Sequence, residues 1–282
     1  MTNSATPDER GWFADHSPGD DGASAAITEG RAESPRDWPG LAVEGGFADS
    51  EAEYYDRLHE ATVATARAQA RARQQADDQQ VMHAVRAIDD CEATANELAE
   101  RVAEWARSTA DEAPSGIEGA HQVAAMEPSS PAEERLVSLA ERVVALDEEA
   151  AQLRQYVEET MPAVAPNLTA LAGPVLAARL VSLAGGLESL AKQPSGTVQV
   201  LGAEDALFAH LQGGAPSPKH GIIYTHEYVR NTPESDRGSA ARALAGKLTI
   251  AARIDHYSGD RRPELAADLE ERIETIRARD SE

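Results

Sequence analysis

The chain has 282 residues, a formal net charge of −23 and only 4% aromatic residues, which leaves little material for one large core and favours several small modules. It contains no run of about 18 or more apolar residues and no charged-apolar-small leader pattern, so the sequence predicts a soluble cytoplasmic protein without membrane contact. The single cysteine, Cys91, cannot close an intrachain disulfide and lacks the paired spacing of a zinc site, so it reads as a small core residue.

Residues 1–76 form the first expected region, a reduced and poorly structured N-terminal segment. To about Asp49 it is rich in Gly, Pro, Asp, Ser and Ala, with Trp12, Phe13, Trp38, Leu41 and Phe47 as isolated apolar anchors. From Ser50 to Gln80 the residues favour helix, but the apolar face is weak.

Residues 77–160 read as an antiparallel coiled-coil hairpin with a linker at 106–131. Val81, Ala84, Ile88, Cys91, Ala95, Leu98, Val102 and Trp105 follow an unbroken 3,4 alternation, which is a heptad seam. A second seam runs through Leu136, Leu139, Val143, Leu146, Ala150, Leu153 and Val157, introduced by Ser130-Pro131 and a capping-box Glu133. Pro114, Gly116, Gly119, Pro128 and Pro131 reverse the chain between them, and each seam corresponds to an arm of roughly 33 to 38 Å at about 1.5 Å per residue. Such a hairpin either packs within its own subunit or joins two copies, with Val81, Ile88, Leu98, Val102, Leu139, Val143, Leu146 and Leu153 as the candidate dimer contacts.

Residues 161–262 are expected to be a compact block of short helices punctuated by Gly and Pro, ending in one longer helix over Gly238–Tyr257. Residues 263–282 follow as a charged helix whose stripe of Leu265, Leu269, Ile273 and Ile276 folds back onto the block or the hairpin. The block is the one part of the chain that is not strongly acidic. Of 26 Lys and Arg and 49 Asp and Glu, residues 162–262 hold 10 and 8, which leaves 16 and 41 for the remainder. All three lysines, Lys192, Lys219 and Lys247, lie in it, and no acid interrupts the run of cations from Arg237 through Arg242 to Arg253. A local basic surface on a repulsive protein suits a phosphate backbone.

Individual residues support a binder over a catalyst. Lys219 and His220 sit on a Pro-rich loop, where a cation and a flat ring can meet a phosphate and an unstacked base. Arg237-Gly238 opens the longest helix of the block, bringing free N–H groups, a positive dipole end and a guanidinium together. Arg242 and Arg253, about 20° apart on one helical face, either line RNA or salt-bridge the hairpin; Lys247 points elsewhere and is either a contact or simply solvated. Glu204 and Asp205 are adjacent and diverge by about 100° on a helix, so they cannot readily share a proton or a metal. His220 and His226 lack the spacing of a zinc pair, and no phosphate loop, nucleophile elbow or dinucleotide fingerprint occurs, so neither metal, cofactor nor enzymatic activity is expected.

Four strings carry a resemblance: APNLTALAG from Ala165, ARLVSLAGGLESLAKQPSGTVQVLGAEDALF from Ala178, PKHGIIYTH from Pro218 and RGSAARALAGKLTIAARIDHYSG from Arg237. Together they closely resemble the Nop domain, and DDQQVMHAVRAIDDCEATANELAERVAEW from Asp77 resembles the coiled coil that precedes it in archaeal box C/D ribonucleoprotein scaffolds. The resemblance implies a mainly α protein: a long antiparallel coiled-coil hairpin followed by a compact all-α Nop domain. It implies a non-catalytic scaffold for guide-RNA-directed 2′-O-methylation of ribosomal and transfer RNA. Implied partners are a kink-turn box C/D guide RNA, the ribosomal-type protein bound to that RNA, fibrillarin, which is the methyltransferase, and a second copy of the scaffold through the coiled coil. Charge and resemblance together mark Lys192, Gly202, Ala203, Glu204, Lys219, His220, Arg237, Gly238, Arg242, Lys247 and Arg253 as the RNA and ribonucleoprotein contacts.

Three positions depart from the family pattern: Asp205, Ala209 and Ser239 stand where it places cations. Low lysine and excess acid suit a cytoplasm of very high salt, where the Debye length is only about 3 Å at 1 M and exposed charge attracts little. Binding is therefore expected to lean on shape, stacking and the partner protein. The missing cations also leave open a helical adaptor that keeps the fold without RNA recognition. The short region before the hairpin is a candidate reduced docking module for fibrillarin.

Overall fold

The computed structural model describes residues 11–14, 16, 26–28, 35–108 and 115–278, which are mostly helical with no strand among them. The chain divides into two compact units, Met1–Ala76 and Asp77–Glu282. Pro114, expected in the linker, lies outside the described residues.

In the first unit, α1 (Trp38–Glu44) is capped by Asp37, whose carboxylate accepts from Gly40 N–H, and α2 (Glu51–Gln74) begins at Ser50, whose hydroxyl accepts from Glu53 N–H. Glu53 reaches back past the cap to accept from Asp49 N–H at 2.7 Å, and that bond, with Arg57 beside it, holds the Glu53 carboxyl below the usual range. The anchors expected to be isolated converge instead. Trp12, Phe13, Phe47 and Tyr54 meet at ring-centroid distances between 5.3 and 6.4 Å, with Trp38 packed alongside and Phe13 and Tyr54 buried. Their spacing in sequence follows no helical period, so the cluster left no periodic signal. Leu41 stays 37% exposed.

The second unit opens with the hairpin. Helix α3 (Asp77–Ala106) packs antiparallel on α5 (Pro131–Val164), with α4 (Gly116–Ala124) against both. Its 30 and 34 residues make arms of about 45 and 51 Å, longer than the seams alone indicate, because α5 continues through Pro162. The Ser130 cap forms as expected, with Ser130 Oγ accepting from Glu133 N–H, while the Glu133 carboxylate reaches one residue past the N-cap and accepts from Ser129 N–H at 2.7 Å. The linker, expected only to turn, contains α4. Gly116 and Gly119 disguise it as loop, yet Gly119 is buried together with Ala120 and Val123, where a small residue permits close approach to the arms.

Both seams are filled from within one chain. Val81, Ile88, Val102 and Val143 are at most 3% exposed, and Leu98, Leu139, Leu146 and Leu153 pack partly buried against the same cores. These eight residues, the candidate dimer contacts, all pack inside the hairpin of the one chain. A 3,4 seam accepts any matching helix, and a partner on the same chain is present at high effective concentration. Cys91 is half-buried and Trp105, the last seam residue, is 37% exposed.

The lower end of the hairpin merges with the block, since Val81, Val85, Ile88, Val157 and Met161 belong to the block's core. There α6 (Pro166–Ala172), α7 (Pro174–Ala184), α8 (Leu187–Lys192), α9 (Ser195–Val200), α10 (Glu204–Leu211), a 3₁₀ turn (Ile222–Thr225) and α11 (Glu227–Arg230) lead to α12 (Arg237–Tyr257) and α13 (Glu264–Ala278). Central α12 contacts α6, α8, α9, α11 and α13 through Ala240, Ala241, Leu244, Ala245, Leu248, Ala251 and Ala252, all fully buried. The small side chains allow many helices to crowd one axis. Helix α13 buries Leu265, Leu269, Ile273 and Ile276 on the block, as its stripe predicts. Gly185 closes α7. It is the left-handed cap of α7 at φ +83°, with open space where a Cβ would sit. Among the described residues no single helix is long and apolar enough to cross a membrane.

Candidate functional site

One open groove of about 520 Å³ gathers the start of α12, the loop Ser217–Lys219, α9 and Leu207 of α10. The loop has no regular structure, so its shape depends on tethers to residues about twenty positions earlier. Gln199 Nε2 donates to the Lys219 carbonyl at 2.7 Å, Gly221 N–H donates to Gln199 O at 2.9 Å, and Ile222 N–H donates to Leu201 O at 2.8 Å. A Cβ on Gly221 would lie 2.0 Å from the Leu201 carbonyl oxygen, so only glycine fits.

These tethers fix Lys219 and His220 beside α12. The Lys219 methylenes lie 4.0 Å from where a Cβ on Gly238 would project, and Arg242 lines the same groove one turn further along. The His220 ring stacks on Tyr224 at 4.7 Å and 21°, and the Arg237 guanidinium lies 5.6 Å from the same Tyr224 ring centroid. Burial pushes the His220 pKa down, and the Arg237 and Lys219 cations push it further. Its neutral ring is therefore a stacking surface between two cations. Arg237 Nε donates to the Thr232 carbonyl at 3.1 Å, which orients the guanidinium while its terminal nitrogens make no hydrogen bond among the described residues.

The structure thus brings together Lys219, His220, Arg237, Gly238 and Arg242. Gly202, Ala203 and Glu204 form the turn into α10 beside them, where Gly202 N–H donates to Glu204 Oε1 at 2.8 Å. Three other expected contacts are engaged elsewhere. Lys247 pairs with Asp268 at 2.7 Å and ties α12 to α13. Arg253 neither lines the groove nor bridges to the hairpin: its Nε and Nη2 donate to the carbonyls of Ala191 and Gln193, at 3.0 and 3.2 Å, closing the end of α8. Lys192 pairs with Glu188 one turn back on α8, at 2.6 Å. A positive charge in a basic sequence window does not reveal which carbonyl or carboxylate lies across the fold.

The helix start is less purely an anion site than Arg237-Gly238 implies, because Asp236 occupies the N-cap and its side chain caps nothing. The substituted positions sit on this side of the block: Asp205 is exposed on α10, and Ala209 and Ser239 are half-buried. Helix α10 buries none of its residues, and its Phe208 and Leu211 are 63% and 75% exposed. Sequence reasoning missed Tyr224, Gln199 and Thr232. Only Tyr224, four residues after His220, offered a local clue. His226 takes a structural role, with Nδ1 accepting from Tyr228 N–H and Nε2 donating to Leu171 O at 3.0 Å. No group of three or more potential metal ligands occurs among the described residues.

Residues 76–277 match the family model described as "Nop: snoRNA binding domain, fibrillarin". An uncharacterized NOP5 family protein of Methanocaldococcus jannaschii is 52% identical over 142 residues, covering 50% of this chain and 34% of that protein. Nucleolar protein 56 of Schizosaccharomyces pombe is 45% identical over 125 residues, covering 44% of this chain and 25% of that protein. The matched stretch therefore spans about a third or less of the length of these relatives. Among solved structures, a chain from the crystal structure of a fibrillarin/Nop5p complex superposes with a TM-score of 0.53 at 24% identity, covering 95% of this chain and 99% of that one, a likeness of fold alone.

Proposed function

From the premise that this chain belongs to the Nop family, matched over residues 76–277, we propose that it is a non-catalytic scaffold of an archaeal box C/D ribonucleoprotein. The observation that carries the proposal is the start of α12, where Lys219 and Arg242 line the open groove and, next to Lys219, the His220 ring stacks on Tyr224 with the Arg237 guanidinium over the same Tyr224 ring. Cations at the edge of a flat aromatic surface suit a phosphate next to an unstacked base, the form in which folded RNA presents itself. The apolar Phe208 and Leu211 on α10 fit a composite surface of RNA and bound protein better than RNA alone. The scaffold grips a kink-turn RNA already carrying its ribosomal-type protein, and fibrillarin docks on the unit around α1 and α2. A second copy, where it binds, uses the outer faces of the hairpin. The acidic remainder of the chain fits a cytoplasm of high salt.

The test is a gel shift of kink-turn RNA with and without its ribosomal-type protein. A supershift that requires both is expected, weakened at least about tenfold by Arg237→Ala, since a charge-assisted contact contributes about 1.5–3 kcal/mol. Affinity is expected to fall only shallowly with salt, because few phosphates are neutralised. Absence of any supershift favours the second reading, a helical adaptor without RNA recognition, which the acids Asp205 and Asp236 beside the groove support.

A further inference from the structure

We propose that Arg277, in the last turn of α13, is a positioning residue for Arg237 and sets the pose from which Arg237 grips RNA; this rests on the RNA-binding reading above. The two arginines are 40 positions apart in the chain and belong to different helices. They meet through Thr232, which is 2% exposed.

Arg277 Nε donates to Thr232 Oγ1 at 3.1 Å, the Thr232 hydroxyl donates to the Tyr228 carbonyl at 2.6 Å, and the Thr232 carbonyl accepts from Arg237 Nε at 3.1 Å. Arg277 Nη2 also donates to the Glu227 carbonyl at 3.2 Å, and its guanidinium lies 5.9 Å from the Tyr228 ring centroid. Helix α11 has only four residues, and its carbonyls are met by Asn231 N–H, Thr232 N–H and the Thr232 hydroxyl, all from the segment that leads to α12. Arg277 adds donors from α13 to the Thr232 hydroxyl and the Glu227 carbonyl, which ties the segment joining α11 to α12 to a second helix.

That segment presents the acceptor for Arg237. With Nε bound to Thr232 and the guanidinium over Tyr224, Arg237 has already lost the rotamer freedom that RNA binding would otherwise have to remove. Without Arg277, the buried Thr232 hydroxyl loses a donor and the Glu227 carbonyl keeps only its bond from Asn231 N–H. The segment then loosens, and Arg237 samples many poses. Packing of α13 does not depend on this link, since Leu265, Leu269, Ile273 and Ile276 already bury its apolar stripe.

The experiment uses the full chain and a kink-turn RNA carrying its ribosomal-type protein, and compares Arg277→Gln, Arg237→Ala and the double variant. Arg277→Gln is expected to weaken binding about three- to tenfold, the effect of freeing one long side chain. In the Arg237→Ala background it is expected to change nothing further. The Arg237 Nε–H signal in NMR of the RNA-free chain is expected to weaken in Arg277→Gln through faster exchange with water. Thr232→Val breaks the same relay while keeping side-chain shape and is expected to reproduce these effects if Arg277→Gln proves unstable. Additive losses in the double variant, or an unchanged Arg237 signal, overturn the proposal. Binding that needs Arg237 and ignores Arg277 overturns this proposal alone; a wild-type chain that binds no RNA complex overturns the RNA reading and this proposal with it.

Discussion

The hairpin and the groove hold their shape by opposite means. Along the hairpin, α3 and α5 meet through one repeated contact, a small or branched residue every third or fourth position, from Val81 beside Val157 and Met161 to Val102 beside Leu136 and Val143. In the groove no contact repeats. Gln199 ties one carbonyl, Gly221 admits another, and Thr232 orients one guanidinium. The repeated structure spreads its stability over many equivalent positions, so losing one is a matter of degree. The groove depends on single tethers, so a change there is expected to tell on the proposed binding more than on folding.

The largest effect on stability should come from the shared cores. Leu136→Ala in the hairpin and Leu248→Ala in α12 each remove a side chain no more than 2% exposed, and each is expected to destabilise by about 3 kcal/mol in urea unfolding. If Leu136→Ala proves neutral, the hairpin is not a packed seam. Gly221→Ala comes next. The clash with Leu201 O must be relieved by moving the loop, which costs about 1–3 kcal/mol and is expected to abolish RNA assembly. Gln199→Ala removes one exposed tether and is expected to cost less than about 1 kcal/mol in stability while weakening assembly several-fold. Equal losses in folding and binding for Gln199→Ala would erase the distinction between the two regions.

The smallest effect is a pH dependence. Burial pushes the His226 pKa below its ordinary value of 6.5, against the bond to the Leu171 carbonyl and the Glu227 charge, which pull the other way. The unfolded chain therefore binds a proton more readily than the folded one. Stability is complete above about pH 6.5 and declines as pH falls toward the depressed folded value. His220 shifts in the same direction. Urea midpoints between about pH 5 and 8 should show the decline, and His226→Asn should flatten part of it while lowering stability throughout. A slope unaffected by that substitution would assign the titration elsewhere.

Much of this fold was legible because helices announce themselves by period. The two seams, the Ser130–Glu133 cap and the stripe of α13 each repeat at three or four residues or obey a fixed local spacing. Helix α4 was not legible, since its glycines read as breakers until their packing against the arms is seen. The groove was legible only in part. Lys219, His220, Arg237 and Arg242 stood out as cations and a ring in a neutral block, but the same criterion also selected Lys247 and Arg253. What separates the two sets is the partner each finds, Asp268 for one and the carbonyls of Ala191 and Gln193 for the other. Such pairings depend on three-dimensional proximity between distant positions, and no period in the chain encodes them.

Helix α5 runs without interruption from its cap at Ser130 through Pro162 into the block, where Met161 is fully buried. It is therefore a lever with one end clamped. A rotation of the block by a few degrees sweeps the far tip of the hairpin through several ångströms at the end of an arm of about 50 Å. Whatever holds the tip feels, as a displacement, how the block is seated, and a small misfit in the groove becomes a misalignment large enough to keep two distant sites from engaging at once.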